Sequence, residues 1–383
     1  MHTNTPTLKE MVSALIATPS TSSTDSRFDT SNQDVIHLLA NWLEPLGFTI
    51  KITPVVGHIG KVNLIATLGE GSNGLLLSGH SDTVPFDEHL WQFDPFKMTE
   101  NEDRWYGLGS CDMKSFFALA IEASRSFQKS DFKQPLTIMA TADEESSMSG
   151  ARQLAPYEVA AAKFAVIGEP TDLKPITRHK GIMMLKLRVD GTSGHSSDPA
   201  LGKNAIEGMH QAISELMAYK RELVRNFSDE KFAVSYPTLN FGCIHGGDNP
   251  NRICDHSELS FDLRNLPSMD MGGFTEMLQA RIANKISEEG FTCSVELLHP
   301  PVPAFDNSAS DLSRTIEELR DQSAGSVAFG TEAPFLSALN LDTVVIGPGS
   351  INQAHQPNEY LPLNQITPTV DLLSKLISRY CMN

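Results

Sequence analysis

His80, Asp82, Asp112, Glu144, Glu145, Glu169 and His355 are the residues of this chain whose types suit metal chemistry. Carboxylate oxygens mixed with two imidazoles are the ligands of a zinc-type divalent ion that stays open to water. The set is larger than one ion needs. An Asp carboxylate has two oxygens and can bridge two cations, so the pattern reads as a two-metal hydrolase. Two divalent cations set against three carboxylates and a hydroxide would leave a neutral core, which a partly dry cleft favours.

Each member also has a plainer reading. His80 and Asp82 stand one residue apart at a strand end, where alternate residues share a face. A ligating His needs its second ring nitrogen held by an acceptor, and Asp82 could hold it; the alternative is a polar strand end. Asp112 follows a Gly-rich stretch and precedes a helical run, so it is either a bridging ligand or a helix N-cap. Cys111 beside it is read as packing. Glu144 and Glu145 are adjacent and leave the backbone in different directions, which suits one ligand and one free base; the alternative is a solvated acidic turn. Two carboxylates so close need cations nearby. Glu169 ends an apolar run, and a carboxylate buried there needs a partner.

These residues must be positioned by regular elements. Helical periodicity marks residues 8–18, 34–46, 113–127 and 149–154. Residues 48–54 and 61–68 read as strands, and 75–78, 136–142 and 164–167 are short apolar runs of the kind buried inside a covered sheet. Beyond Gly181 the order becomes strand, helix, strand, strand, helix, strand (182–189, 203–223, 238–244, 258–263, 274–286, 292–298), the ferredoxin-like sequence of elements. The tail returns to α/β with helices at 311–319, 332–339 and 368–380 and a strand at 343–346. His355 lies in that tail while the other candidates precede residue 170. One α/β domain, residues 1–181 and 299–383, is therefore expected to be interrupted by an inserted α+β domain at 182–298.

A chain of 383 residues is long enough for two domains. Acidic residues outnumber basic ones, 47 to 30, for a net charge of −17, which argues against nucleic acid or an anionic membrane as partner. The five cysteines, Cys111, Cys243, Cys254, Cys293 and Cys381, form no CxxC pair, and a reducing cytoplasm is expected. The segment Met1 to Ser20 lacks the pattern of a secretory signal. No run has the length of a membrane span.

Six segments in order, GHSDTVP (79–85), YGLGSCDMK (106–114), ATADEE (140–145), IGEPT (167–171), SGHSSDP (193–199) and AHQPNEY (354–360), resemble the motifs of the dinuclear-zinc M20 peptidase and deacylase family. The resemblance spans essentially the whole chain. It implies a zinc-peptidase-like catalytic domain with an inserted ferredoxin-like dimerisation (lid) domain. It implies two Zn²⁺ per chain, with Co²⁺ able to substitute. His80, Asp112 and Glu169 would bind one ion, and Asp112, Glu145 and His355 the other. Asp82 would orient His80, Glu144 would be the general base, and the peptide bond after Asp112 would be cis. His195 would reach the partner subunit's site in a homodimer and stabilise the oxyanion. Arg264 would grip a substrate carboxylate, with Asn251 a polar contact beside it. Ser115 departs from the glycine that many relatives carry there.

Further stretches, HGGDNPNRICDHSELSFDLRNLP (245–267), ELLHPPVP (296–303), GTEAPF (330–335) and GPGSINQAHQPNEY (347–360), resemble those of the family's amino-acid deacetylases, and this resemblance implies a small-molecule substrate, N2-acetyl-L-ornithine, deacetylated to ornithine for arginine biosynthesis. Sister activities on succinyl-diaminopimelate or a broader range of N-acyl amino acids are the alternative. A non-catalytic binding protein on the same scaffold would lack the base, and Glu144 is present. For the ornithine ammonium, Thr331 and Glu332 are the candidate contacts, Glu332 being otherwise an exposed charge opening a helix.

Overall fold

The computed structural model describes residues 6–382. The first five residues of the stretch read as lacking a secretory signal lie outside the described residues. No described helix is long and apolar enough to cross a membrane. The chain forms two compact units. The first holds Met1–Thr177, Asn307–Gly325 and Thr331–Asn383; the second holds Arg178–Asp306 and Ser326–Gly330.

The first unit is built on a twisted sheet in the order Thr49–Pro54, Val62–Leu68, Leu136–Thr141, Gly74–His80, Ala162–Ile167, Asp342–Val345 and Ile176–His179. The strands Leu136–Thr141, Gly74–His80, Ala162–Ile167 and Asp342–Val345 run parallel to one another. Every residue of Gly74–His80 and of Leu136–Thr141 is buried, which is why both read as unbroken apolar runs instead of alternating ones. Leu75, Leu77, Leu136, Ile138 and Val166 share one core with Phe116, Phe117 and Ala120 of helix Ser115–Ser124 and Leu372, Leu373 and Leu376 of helix Ile366–Cys381.

Parallel strands share one carboxyl end, and ligands in such sheets gather there. His80 is the last residue of its strand, Glu144 and Glu145 follow Thr141, and Glu169 follows Ile167. The helix after Asp112 starts later than its periodicity suggests. It begins at Ser115 with Lys114 as its cap residue, so Asp112 is not its N-cap. A small sheet of Thr99–Asn101, Arg104–Tyr106 and Tyr360–Pro362 was not signalled by periodicity, because three-residue strands are too short to show any.

In the second unit an antiparallel sheet has the order Thr238–Gly246, His256–Arg264, Met183–Asp190 and Thr292–Leu297. Leu185, Leu187 and Val189 alternate with more exposed residues and pack with Leu216 of helix Ala205–Asn226 and Leu278 and Ile282 of helix Phe274–Ile286. Arg281 joins the two helices, reaching Glu215 at 2.5 Å and both oxygens of Glu222 at 2.6 and 2.7 Å. The unit starts before Ile182 and ends after Leu298. Arg178 pairs with Asp229 and Asp306, which ties both crossing segments into it.

Leu187 is fully buried in the second core. Leu187→Ala is expected to cost ~2–5 kcal/mol in urea unfolding, the usual toll of a large-to-small core change. Since His80, Asp112, Glu145, Glu169 and His355 all lie in the first unit, the metal content of the folded fraction should be unchanged. A loss of bound metal in folded Leu187→Ala would contradict this division of labour.

Candidate active site

His80 is placed by the central strand, and its two ring nitrogens face different acceptors. Nε2 lies 3.0 Å from Asp112 Oδ1 and 3.8 Å from Glu169 Oε1. Nδ1 lies 3.0 Å from the backbone carbonyl oxygen of Asp82 and 3.6 Å from its carboxylate. The acceptor within hydrogen-bond range is thus the main chain of Asp82, where the sequence pointed to its side chain. The Asp82 carboxylate instead accepts the backbone N–H of Glu145 at 3.1 Å, which ties the His80 strand end to the turn carrying Glu144 and Glu145.

That turn begins at Asp143, whose backbone is left-handed (φ 64°), a conformation Asp tolerates better than most residues. Its carbonyl accepts the N–H groups of Ser147 and Met148, at 3.1 and 2.7 Å, and its carboxylate accepts the Ser146 hydroxyl at 2.6 Å. Glu145 Oε2 then meets His355 Nε2 at 2.9 Å, and the same nitrogen lies 3.9 Å from Asp112 Oδ2. The two Asp112 oxygens therefore face two different groups, His80 with Glu169 on one side and Glu145 with His355 on the other. The bond between Asp112 and Met113 is cis.

Ligand atoms of His80, Asp112 and Glu145 all lie within 4.8 Å of one another, close enough to hold a metal ion. His80, Asp112 and Glu169 are buried, Glu144 and Glu145 keep part of their surface open, and His355 is exposed. Burial pushes the Glu144 and Glu169 carboxyls well above the usual carboxylate range, and neighbouring carboxylates add to it. Glu145 is raised by burial and by Asp112. Burial alone pulls the His80 imidazole down, yet Asp112, Asp82, Glu169 and Glu144 outweigh it and hold it well above its ordinary value. His355 rises to about 8 through its bond with Glu145. So much like charge in one cleft is what divalent cations neutralise, and the donor set of carboxylates and imidazoles fits them.

Glu332 is buried, not exposed. Its Oε2 accepts the Thr141 hydroxyl at 2.8 Å, while its Oε1 is buried without a hydrogen-bond partner among the described residues. Burial lifts its carboxyl to about 7. Thr331 is also buried, and its hydroxyl accepts the N–H of Ala333 at 3.2 Å. His195, Asn251 and Arg264 belong to the second unit. His195 is exposed on a two-stranded ribbon, opposite Arg252, and its Nδ1 lies 2.7 Å from the Ser197 hydroxyl. Asn251 offers its backbone carbonyl to the Ser196 N–H at 3.1 Å. Arg264 is half-buried, its Nε bonded to Asp262 at 2.8 Å.

Sequence reasoning passed over Glu359, although it stands four residues after His355 in a motif already singled out. It is buried and receives three backbone N–H groups around Asp112. Lys61 was also passed over; its buried ammonium bonds Asp29 and Ser22, each at 2.8 Å, pinning the segment that hydrogen-bonds Thr83 beside the site.

The family described as Peptidase family M20/M25/M40 matches residues 76–379. The chain is 49% identical over 377 residues to an acetylornithine deacetylase of Pasteurella multocida, covering 98% of both chains. It is 48% identical to the acetylornithine deacetylase of Proteus mirabilis, covering 100% of this chain and 99% of that one. In fold it is similar to the aminopeptidase PepT of Bacillus cereus, with a TM-score of 0.76 at 20% identity, covering 97% of this chain and 98% of that one. A metallo-carboxypeptidase of Sulfolobus solfataricus has a TM-score of 0.75 at 17% identity, with 97% and 99% covered. With this match running from the first central strand to the last helix, the chain belongs to the M20/M25/M40 peptidase family.

Proposed function

We propose that this chain is a metal-dependent amide hydrolase that removes acetate from N2-acetyl-L-ornithine. The observation that carries the reading is the double pairing about Asp112, one oxygen toward His80 and the other toward His355, with Glu144 left over near His80 and Glu169. The deacetylases at 45–49% identity over essentially the whole chain support the substrate.

His80, Asp112 and Glu169 would hold one divalent cation and Asp112, Glu145 and His355 a second, with zinc the proposed metal and cobalt a substitute. Bound there, the pair would polarise an amide carbonyl and lower the pKa of a water. Glu144 takes that water's proton as its oxygen attacks the acetyl carbon, then delivers it to the departing amine nitrogen as the C–N bond breaks. Arg264, its plane fixed by Asp262, is the proposed partner of the substrate carboxylate, which a guanidinium meets with two parallel bonds. Asn251 is proposed beside it. Glu332 is the proposed acceptor for the ornithine ammonium, through the oxygen that has no partner among the described residues.

The working form is proposed to be a homodimer through the inserted domain. Strand Thr238–Gly246 is a sheet edge, and with helix Ala205–Asn226 it lines grooves edged by exposed Met217, Val224, Ile206 and Ile244. An unpaired edge flanked by apolar side chains is suited to a second copy of itself. Its compartment is proposed to be the cytoplasm, which suits five free cysteines.

Glu144→Gln should lower kcat by ~10²–10⁴-fold while two metal ions stay bound, since the amide keeps the shape but cannot accept the proton. Kinetics paired with metal analysis check this; near-normal turnover would remove Glu144 from its role. Co-refolding Glu144→Ala with His195→Ala should restore activity, because in a mixed dimer one site would keep its own Glu144 and receive an intact His195 from its neighbour. Silence from verified heterodimers would confine His195 to its own chain. On substrate, kcat/KM should clearly favour acetylornithine over succinyl-diaminopimelate, and Glu332→Gln should harm acetylornithine more than acetylmethionine. A succinyl preference would overturn the substrate; equal losses on both acetyl substrates would overturn only the role of Glu332.

A further inference from the structure

Residues 107–112 run from a short strand to the cis bond after Asp112 without forming a helix or a strand. None of the six is proline, so each carries a backbone N–H that must be satisfied where the loop is buried. Leu108 donates to the Pro95 carbonyl at 2.8 Å and Ser110 to the Gly107 carbonyl at 3.1 Å. The remaining donors all go to one residue. Gly107 N–H reaches the Glu359 backbone carbonyl at 3.0 Å, Gly109 N–H reaches Glu359 Oε2 at 2.9 Å, and Cys111 and Asp112 N–H reach Glu359 Oε1 at 2.7 and 2.9 Å. Gly109 is left-handed (φ 78°), and a Cβ there would sit 2.6 Å from Lys114 Cε and 2.9 Å from Thr83 Cγ2, so glycine suits the point where the loop wraps the carboxylate.

Glu359 is itself held from both sides. Before it, Asn358 Oδ1 accepts the N–H of Gln92 at 2.7 Å and of Phe93 at 3.3 Å; after it, Tyr360 and Leu361 pair with Tyr106 and Trp105. His355 begins the same segment. One short stretch therefore presents a proposed metal ligand and also grips the loop that presents the shared one.

We propose that Glu359 is a positioning residue for the dinuclear centre, holding the Asp112 carboxylate with one oxygen toward His80 and the other toward His355 by gripping the backbone on its N-terminal side. The inference rests on the reading of Asp112 as the shared ligand. It has a consequence that a merely structural clamp would not have. Loosening the grip should let Asp112 favour one side, weakening the metal pair and slowing the chemistry while leaving KM near its original value, since the carboxylate of Glu359 bonds the backbone of Gly109, Cys111 and Asp112.

The test compares the unaltered protein with Glu359→Gln and Glu359→Asp. Gln keeps the length but replaces one acceptor oxygen by an NH₂ that opposes a backbone donor; Asp keeps both oxygens on a shorter arm. Cobalt is titrated into each metal-free protein and followed by visible absorption, kcat and KM are measured on acetylornithine, and thermal unfolding of the metal-free forms serves as the folding control. Glu359→Gln should bind cobalt ~10–100-fold more weakly, with an altered spectrum and a kcat reduced by a similar factor, the usual scale for groups supporting metal ligands, while KM stays near its original value. Glu359→Asp should recover part of the loss. Unchanged cobalt affinity and spectrum in folded Glu359→Gln would overturn the proposal, as would a loss confined to thermal stability. Should Glu359→Gln not fold, the same comparison on Glu359→Asp decides, with unchanged cobalt binding again fatal. If the unaltered protein takes up fewer than two cobalt ions, the two-metal reading falls and this inference with it; if it takes up two and both variants match it, the inference falls alone.

Discussion

Crowding of like charge at one end of a parallel sheet is the constraint to which the rest of the first unit answers. Asp112, Glu144, Glu145 and Glu169 meet around His80 with little solvent to screen them, and burial and mutual repulsion push the three glutamates toward the neutral form. Carboxylates left to themselves would spread apart or take up protons. They are held in place by local structure: His80 ends a wholly buried strand, Glu169 follows the buried end of another, the turn from Asp143 is closed by its own carbonyl and carboxylate, and the N–H groups of Cys111 and Asp112 bond Glu359. A cleft held in that state could take up cations without reorganising, which is the condition for strong electrostatic stabilisation of a reacting group.

Rigidity there comes less from side chain to side chain bonds than from side chains that satisfy main-chain groups. Asp82 offers its carbonyl to His80 and its carboxylate to the Glu145 N–H, so one residue couples a ligand of each proposed cation. Asn32 and Asn63 act similarly one layer back, Asn32 bonding both the N–H and the carbonyl of Val62, and Asn63 bonding Ala142 and Gly150. Buried polar networks are stabilising only when every member is satisfied, which makes them sensitive to single substitutions and good at holding one geometry.

Much of this was legible in the sequence, for identifiable reasons. The parallel strands announce themselves as short apolar runs because both faces are covered, and the ligands stand out because charged residues directly after such runs have no other easy explanation. The inserted unit shows through its alternating strand 183–190 and the amphipathic helix that follows. What could not be read was whatever depends on loop geometry. The helix after Asp112 opens two residues late because 107–112 is wound about Glu359, and a loop has no period to detect. Glu332 looked like a helix-opening surface charge because its position before Ala333 is visible in the sequence and its burial against Thr141 is not. Asp82 was identified by type, yet which of its oxygens serves His80 turns on a difference of 0.6 Å, the gap between 3.0 and 3.6 Å.

The order of the proposed ligands along the chain bears on how the site closes. His80, Asp112, Glu145 and Glu169 all precede the second unit, but His355 and Glu359 come after it, so the site is closed by residues more than two hundred positions from their partners, Glu145 with His355 and Gly109 with Glu359. Contacts this distant must overcome a large loop-closure entropy before they contribute anything. The inserted unit eases that cost, because its ends leave and return on adjacent strands, His179 facing Phe305, and so bring the tail back to the place where the chain departed. Cations that bind the completed cluster and not the open chain add their binding energy to this closure by mass action. Metal binding at the proposed site would then be linked to the docking of the C-terminal segment, which accounts for a proposed ligand and a backbone clamp sitting together within five residues of the tail.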